Sequence, residues 1–400
     1  MLLKTGVRFI AEFAVVLLLS GCCMQVSEHQ PRGGDIYASG PVKAPPVYSV
    51  PFGRTAEGAR VTQYVLTNSQ GASCRVIDFG AIVTNLVVPD KNGKMGDIVL
   101  GFDTPREYQE AGPFIGCVPG RYANRIANGL FTLDGTQYAL TMNQGVNTLH
   151  GGFKGFAKRM WTGDAGMTTD GPTVRLTLLD PDGTEGFPGN LKATVLYTLT
   201  NTNWLKVQYF ATTDKPTPIN LTQHSYFNLG GDGKYDVLGN VAQINAARYL
   251  PFDDTLIPTG VVAPVAGTPF DFTKAKLIGR DFKQLPGAVP GYDNAWVLDS
   301  SNGTLAKAAT VYDPMSGRQL ECWTTEPVVQ FVTGNNLAGI VGKSGQAYGI
   351  YHAFCLETGH YPDSPNHPDF PSTILRPGQT YRQLTEFRLS VPKTPLAEGD

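Results

Sequence analysis

The 400-residue chain reads as an all-β protein, a large antiparallel β-sandwich, and three observations point there. Glycine (46) and proline (29) make up almost a fifth of the residues, enough punctuation for many short strands and tight turns. Apolar residues alternate in several separate runs, the period-2 pattern of half-buried strands. Nowhere does an apolar period of 3.6 persist for three turns between helix caps. Layered antiparallel sheets answer all three.

The first segment stands apart from that pattern. Lys4 and Arg8 precede an apolar run, Phe13 to Leu19, too short to span a bilayer as a mature helix, so residues 1–21 read as an export signal. Its end, Leu19-Ser20-Gly21-Cys22, resembles the box of a bacterial lipoprotein signal, cleaved before a cysteine that becomes lipidated; Cys22 is the matching residue. The alternative is a plain secretory signal cut nearby. Either way the expectation is an exported protein, held at the periplasmic face of a membrane through Cys22 or secreted. The absence of Asp beside Cys22 favours the outer membrane.

Residues 22–48 are poor in apolar content and rich in Pro and Gly, the composition of a tether. Residues 49–392 contain no second linker, repeat or low-complexity tract and read as one domain, followed by a short tail, 393–400. Within the domain, Asp134-Gly135 between alternating segments marks a hairpin over 131–140. Leu191 to Leu199 and the run starting at Trp204 alternate on either side of Asn201-Thr202-Asn203. Further strands are expected at 60–67, 74–88, 173–179, 308–312 and 384–391.

Composition narrows the function. Net charge is −2 and no basic block of five residues occurs, so the cationic stripe that nucleic acid needs is missing. Cys74, Cys117, Cys322 and Cys355 lie in the body of the chain. An oxidising compartment permits bridges between them, yet four cysteines allow three pairings and the spacing selects none. Buried thiols, or at most one bridge, are expected. No Cys/His cluster has metal-ligand spacing, and no cofactor is implied.

Polar residues in turn-rich surroundings are the candidates for chemistry. His150 precedes Gly151-Gly152, where backbone or ligand can approach closely. His224 is flanked by Asn220 and Asn228, amides suited to sugar hydroxyls or to turn capping. Arg121, Asn124 and Arg125 supply many donors within five residues, while a solvated strand end with a salt bridge is the plainer reading. Glu357 stands where an apolar run gives way to a proline-rich loop, as a candidate base or an ordinary surface carboxylate. Glu185 to Asn190 reads first as a turn.

Taken together, GRYANRI (120–126), NTLHGG (147–152), EGFPGN (185–190), LTQHSYFNLGG (221–231), GYDNAWVLD (291–299), TTEPVVQFVTGNNL (324–337) and LETGHYPDSPNHPDFPSTIL (356–375) resemble, in order, the signature blocks of the aldose 1-epimerase (galactose mutarotase) family. The resemblance runs from about residue 50 to 392. It implies a galactose mutarotase-like supersandwich with an open sugar cleft, and an enzyme that interconverts the anomers of free hexoses such as glucose or galactose. By the same resemblance, Glu357 is the catalytic carboxylate, His224 the catalytic acid and His150 a second active-site histidine. Asn124, Arg125, Asp293 and Gln330 hold the sugar. His360 and His367 lie in a matching block without a role to carry over, and His29 and His352 are assigned none. Where relatives often read Asp-His-Asn, this chain has Asp293-Asn294-Ala295, which keeps the ligand-binding aspartate and alters its neighbours.

The chemistry suits these residue types. Changing an anomer requires a proton to leave the C1 hydroxyl while another reaches the ring oxygen, and a carboxylate with an imidazolium can do both without metal or cofactor. Base and acid must then converge within about 3 Å of two oxygens on one carbon. Arg125 is expected to favour ionised Glu357, and Phe227, Trp296 and Phe331 are candidates for an aromatic wall. The competing readings are a catalytically silent sugar-binding lipoprotein and a hexose-6-phosphate epimerase, which would want an added cationic pocket.

Overall fold

The clearest alternating runs form the strands they suggest. Leu191–Leu199 and Trp204–Thr213 pair antiparallel with Leu199 opposite Leu205, across a turn closed by the Thr200 N–H donating to the Trp204 carbonyl. Every second residue of Trp204–Thr213 is buried up to Ala211, as a strand with one face on the core requires. In this computed structural model, residues 45–399 are described, apart from 286, 288, 301 and 302. The expected signal, Cys22 and most of the tether lie outside the described residues.

Three antiparallel sheets carry the fold. A nine-stranded sheet runs, in spatial order, Thr162–Met167, Pro172–Asp180, Leu191–Leu199, Trp204–Thr213, Tyr381–Ser390, Gln319–Thr324, Ala306–Tyr312, Val241–Ile244 and Lys276–Leu277. A five-stranded sheet joins Val47–Arg54, Arg60–Thr67, Ser73–Ile77, Ile82–Pro89 and Met95–Asp97 in simple sequence order. A second five-stranded sheet runs Ala263–Pro264, Arg248–Leu250, Asp293–Val297, Val328–Val332 and Cys355–Gly359. One continuous apolar core takes side chains from all three, among them Val207 and Phe387, Leu66 and Val76, and Trp296 and Phe331. That is a sandwich in the layered sense.

The structure corrects several boundaries. The expected strand 74–88 is two strands, because Gly80 and Ala81 both take positive φ and turn the chain between Ile77 and Ile82. The first strand opens at Val47, opposite Leu66, two residues inside the stretch read as tether. The tail is tied down: the Leu277 N–H donates to the Glu398 carboxylate and the Gly399 N–H to the Ala275 carbonyl. A six-residue helix, Pro105–Glu110, carries a full capping box between Thr104 and Glu107, too short for a three-turn search to find. The Asp134-Gly135 hairpin forms as expected, both residues at positive φ as a type I′ turn demands.

The second five-stranded sheet positions the site. Asp293 pairs with Val332, Ala295 with Gln330 and Gln330 with Glu357, so Asp293, Gln330, Cys355 and Glu357 project from one face. Trp296, Phe331 and Leu356 project from the other, into the core. Phe227, Trp296 and Phe331 are fully buried there and form no cleft wall. Period 2 decides it: an aromatic one residue out of step with the site residues must face the opposite way.

Candidate active site

Two loop blocks interlock above that sheet. Arg125–Ile126 pairs with Thr148–Leu149, which sets Asn124 beside His150. The bonds between these two residues are reciprocal: the His150 N–H donates to the Asn124 carbonyl at 2.9 Å, and the Asn124 N–H donates to His150 Nδ1 at 3.1 Å. Both residues have positive φ, a strain held in place by the bonds around it. Gly151 is required here, since a Cβ would stand 2.0 Å from the Gly120 carbonyl oxygen. The EGFPGN turn braces the same loop, its Glu185 carboxylate accepting the Phe153 and Lys154 N–H groups.

His224 arrives on an extended segment pinned at both sides. Its N–H donates to the Cys117 carbonyl, its carbonyl accepts from Gly116, and Gln223 donates to the Gly116 carbonyl. The imidazole stacks on Tyr226 with ring centroids 5.2 Å apart. Its Nε2 lies 3.4 Å from Glu357 Oε1, and its Nδ1 lies 3.6 Å from Cys355 Sγ.

All seven residues singled out in the sequence line one cleft of about 440 Å³: Glu357, His224, His150, Asn124, Arg125, Asp293 and Gln330. One side-chain ligand atom from each of His150, His224 and Glu357 falls within 4.8 Å of the others. Gln330 Nε2 donates to Asp293 Oδ1 at 2.6 Å, and Arg125 Nε donates to Gln144 Oε1 at 2.6 Å. Such a triad invites a metal, but the bond from Asn124 uses the Nδ1 lone pair of His150 and leaves the ring proton on Nε2. That tautomer makes His150 a hydrogen-bond donor rather than a ligand.

Burial dominates the electrostatics. It raises the Glu357 carboxyl well above the usual carboxylate range, Asp293 adds to the rise, and Arg125 opposes both without overcoming them. Arg125 does favour ionised Glu357, as expected, but desolvation of a buried carboxyl outweighs one nearby cation. Burial lowers His224 to about 4. It also lowers His150 well below the ordinary imidazole value, with His224 and Arg125 adding to the effect.

Other candidates resolve into scaffolding. Arg121 is fully buried, clamping Asp180 at 2.7 Å and donating to the Pro188 carbonyl, so Arg125 alone of that pair faces the cleft. Asn220 ties distant segments together through Ala123 and His360, while Asn228 caps a turn at Gly230 and also bonds Tyr235 and His352. His367 stacks on Phe370 and pairs with Asp363, while His352 lies off the cleft. Ala295 is buried and neither it nor Asn294 lines the cleft. Cys74, Cys117, Cys322 and Cys355 are all buried free thiols.

Sequence reasoning missed Phe114, Gln144, Tyr226 and Asn336, which also line the cleft. Phe114 packs on His150 with centroids 4.6 Å apart and, with Tyr226, supplies the aromatic surface. Tyr226 was legible as the near neighbour of His224. Phe114 and Gln144 sit in loops whose convergence on the site is purely tertiary.

A carboxyl and two imidazoles converging in an open cleft, ringed by amides, a guanidinium and a second carboxylate, define an acid–base enzyme for a polyhydroxylated substrate. The aldose 1-epimerase family model matches residues 62–388. The chain is 44% identical over 341 residues to galactose mutarotase from Rattus norvegicus, covering 85% of this chain and 97% of the rat protein. It is 41% identical over 327 residues to aldose 1-epimerase from Escherichia coli K12, covering 81% and 93%. An aldose epimerase homologue from C. elegans superposes with a TM-score of 0.75 at 33% identity, over 82% of this chain and 98% of that one. A galactose 1-epimerase from Lactobacillus acidophilus gives 0.73 at 27% identity, over 86% and 98%. The chain belongs to the aldose 1-epimerase family. It is a carbohydrate isomerase with mutarotase function, acting on an aldose.

Proposed function

We propose that the aldose is a free hexose and that Glu357 and His224 carry its protons. In ring opening the Glu357 carboxylate takes the C1 hydroxyl proton and the C1–O1 bond becomes a carbonyl. The C1–O5 bond breaks with its electron pair going to O5, which takes the Nε2 proton of the His224 imidazolium. After rotation about C1–C2, O5 attacks the other face of the C1 carbonyl as His224 takes its proton back, and the carbonyl pair moves to O1, which takes the proton from Glu357. The cycle closes with no net proton taken from solvent.

The observation that carries this reading is the 3.4 Å approach of Glu357 Oε1 to His224 Nε2 inside the cleft. Burial presses the two groups' affinities past each other, carboxyl upward and imidazole downward. Between those two limits the pair holds a single proton, and ring opening proceeds from the form with that proton on His224 Nε2 and Glu357 ionised. His150, held as a neutral Nε2–H donor, steadies the oxygen on which charge develops. Asn124, Arg125, Asp293 and Gln330 hold the remaining hydroxyls and leave the C1 end free to turn.

Arg125 is the one Lys or Arg side chain among the described residues lining the cleft, and Gln144 and Asn124 engage it. That favours a neutral sugar over a sugar phosphate. Polarimetry tests the reading: the pure protein should equilibrate fresh α-galactose or α-glucose far faster than buffer does, and faster than it equilibrates hexose 6-phosphates. A buffer-level rate would end it.

We also propose that residues 1–21 direct export and that Cys22 carries a lipid anchor on the periplasmic side, outer membrane first. Supporting this are the Leu19-Ser20-Gly21-Cys22 box and a family match that begins only at residue 62. Among the described residues no helix is long and apolar enough to cross a membrane. Cys22→Ser should move the protein from the membrane to the soluble fraction; unchanged membrane recovery would exclude the anchor.

A further inference from the structure

A histidine that works as acid and base through one nitrogen needs its other nitrogen held, and the partner of that second nitrogen sets the tautomer. In His224 the working atom is Nε2, which faces Glu357, and the atom behind it is Nδ1. Among the described residues the group bonded to Nδ1 is neither carboxylate nor carbonyl but the Cys355 thiol, 3.6 Å away, fully buried and outside any disulfide. Register explains the placement. Cys355 and Glu357 are two residues apart on one strand and project from the same face, so they bracket the ring from its two nitrogens.

We propose that Cys355 is a positioning residue: its sulfur accepts the Nδ1–H of His224 and so reserves Nε2 for the proton that travels to and from the ring oxygen. This rests on the assignment of His224 as the acid. A thiol suits the task in a way a carboxylate does not. A buried carboxylate behind the ring would stabilise the imidazolium and raise its affinity for the proton. A neutral sulfur is a weak acceptor at the long distances sulfur requires, so it orients the ring while leaving the proton loosely held. Burial keeps the thiol itself protonated, and the Tyr226 hydroxyl bonds to the same sulfur as a donor, one of two that the sulfur lone pairs can serve. Sulfur can then keep accepting from Nδ1 through both halves of the cycle.

The groups facing the ring are consistent with this. Glu357 meets Nε2, Tyr226 stacks on one face, and His150 approaches with its centroid 5.3 Å away. Arg125 and Asp293 line the same cleft, and Cys117 is near enough to Cys355 to raise its thiol. None of these is a hydrogen-bond partner of Nδ1.

The test combines kinetics with ¹⁵N spectroscopy of histidine-labelled protein, using the full chain. In the wild type the neutral His224 ring should show its proton on Nδ1. In Cys355→Ala it should shift to the Nε2–H form that a free imidazole prefers. Turnover should fall about tenfold with KM within about twofold, a fraction of what a general acid supplies in total. Cys355→Ser, which keeps an acceptor of similar size, should recover most of the loss and the Nδ1–H signal. A Cys355→Ala enzyme with wild-type turnover and tautomer overturns the proposal, as does an Nε2–H ring in the wild type. His224→Ala separates this from the underlying assignment: if that variant stays active, His224 is not the acid; if it is dead while Cys355→Ala is normal, only the role of the thiol falls.

Discussion

Among the described residues two glutamate–histidine pairs lie in buried surroundings, and those surroundings differ. Glu357 and His224 approach to 3.4 Å; Glu326 and His360, at the border of the nine-stranded sheet, approach to 3.7 Å. Burial raises both carboxyls and lowers both histidines to about 4. Around the first pair, Asn124, Arg125, His150, Asp293 and Gln330 converge on one volume. Beside the second lies a wider depression of about 570 Å³ whose lining includes Phe210, Pro327, Tyr361 and Tyr381, and two of the pair's own atoms, Glu326 Oε2 and His360 Nδ1, are buried without a hydrogen-bond partner. Proximity and shifted protonation alone do not make an acid–base site. A convergent shell of donors and acceptors, open to a ligand, does.

The contrast is broken most directly with paired glutamine substitutions. Glu357→Gln should lower turnover by about a hundredfold or more, with sugar binding retained, as loss of a general base requires. Glu326→Gln should leave turnover within about twofold. Polarimetric rates and sugar titrations of both variants decide it, and equal losses would erase the distinction drawn here.

A pH profile sharpens the first half of the comparison. If the Glu357–His224 pair works by sharing one proton, activity should be flat from just above pH 4 up to the raised Glu357 value. Below about 4 the pair takes a second proton and has no base, so activity should fall about tenfold per pH unit. Once the pH exceeds the raised Glu357 value, the pair loses its proton and has no acid. An acid limb centred near the ordinary histidine value would show that His224 is not depressed as its burial implies.

The last prediction concerns stability and the second pair. Glu326 is raised from 4.5 to about 8 by burial. Folding therefore binds its proton more tightly than the unfolded chain does, and this contribution is complete below 4.5 and is lost as pH rises to about 8. His360 opposes it between the two histidine values, 6.5 and about 4, by losing stability as pH falls. Glu326→Gln carries no proton, so its stability relative to wild type should grow with pH across the 4.5–8 window, by up to about 1.4 kcal/mol per unit. Denaturant midpoints at pH 5, 6.5 and 8 measure it. A constant difference would mean that Glu326 is hydrated and ordinary.

Legibility followed the range of the interaction. The hairpin at Asp134-Gly135 and the paired runs about Asn201 were readable because turn chemistry and alternation are local. The break at Gly80-Ala81 was not, since one glycine within a strand-like stretch reads equally as a bulge and an alanine seldom takes positive φ. His150, His224 and Glu357 were nameable from short blocks and their resemblance to one family. Phe114 and Gln144 were not, because their loops carry no pattern of their own. Trp296 and Phe331 were set on the wrong side for want of a register.

By itself the sequence determined the β architecture, the family and the identity of the cleft's polar residues, because these depend on residue type, period and order along the chain. Tertiary structure alone decided protonation. Whether Glu357 holds a proton, which nitrogen of His150 bears one, and what stands behind His224 all depend on desolvation and on contacts between segments far apart in sequence. Those energies exist only once water has been excluded and the strands have found their register.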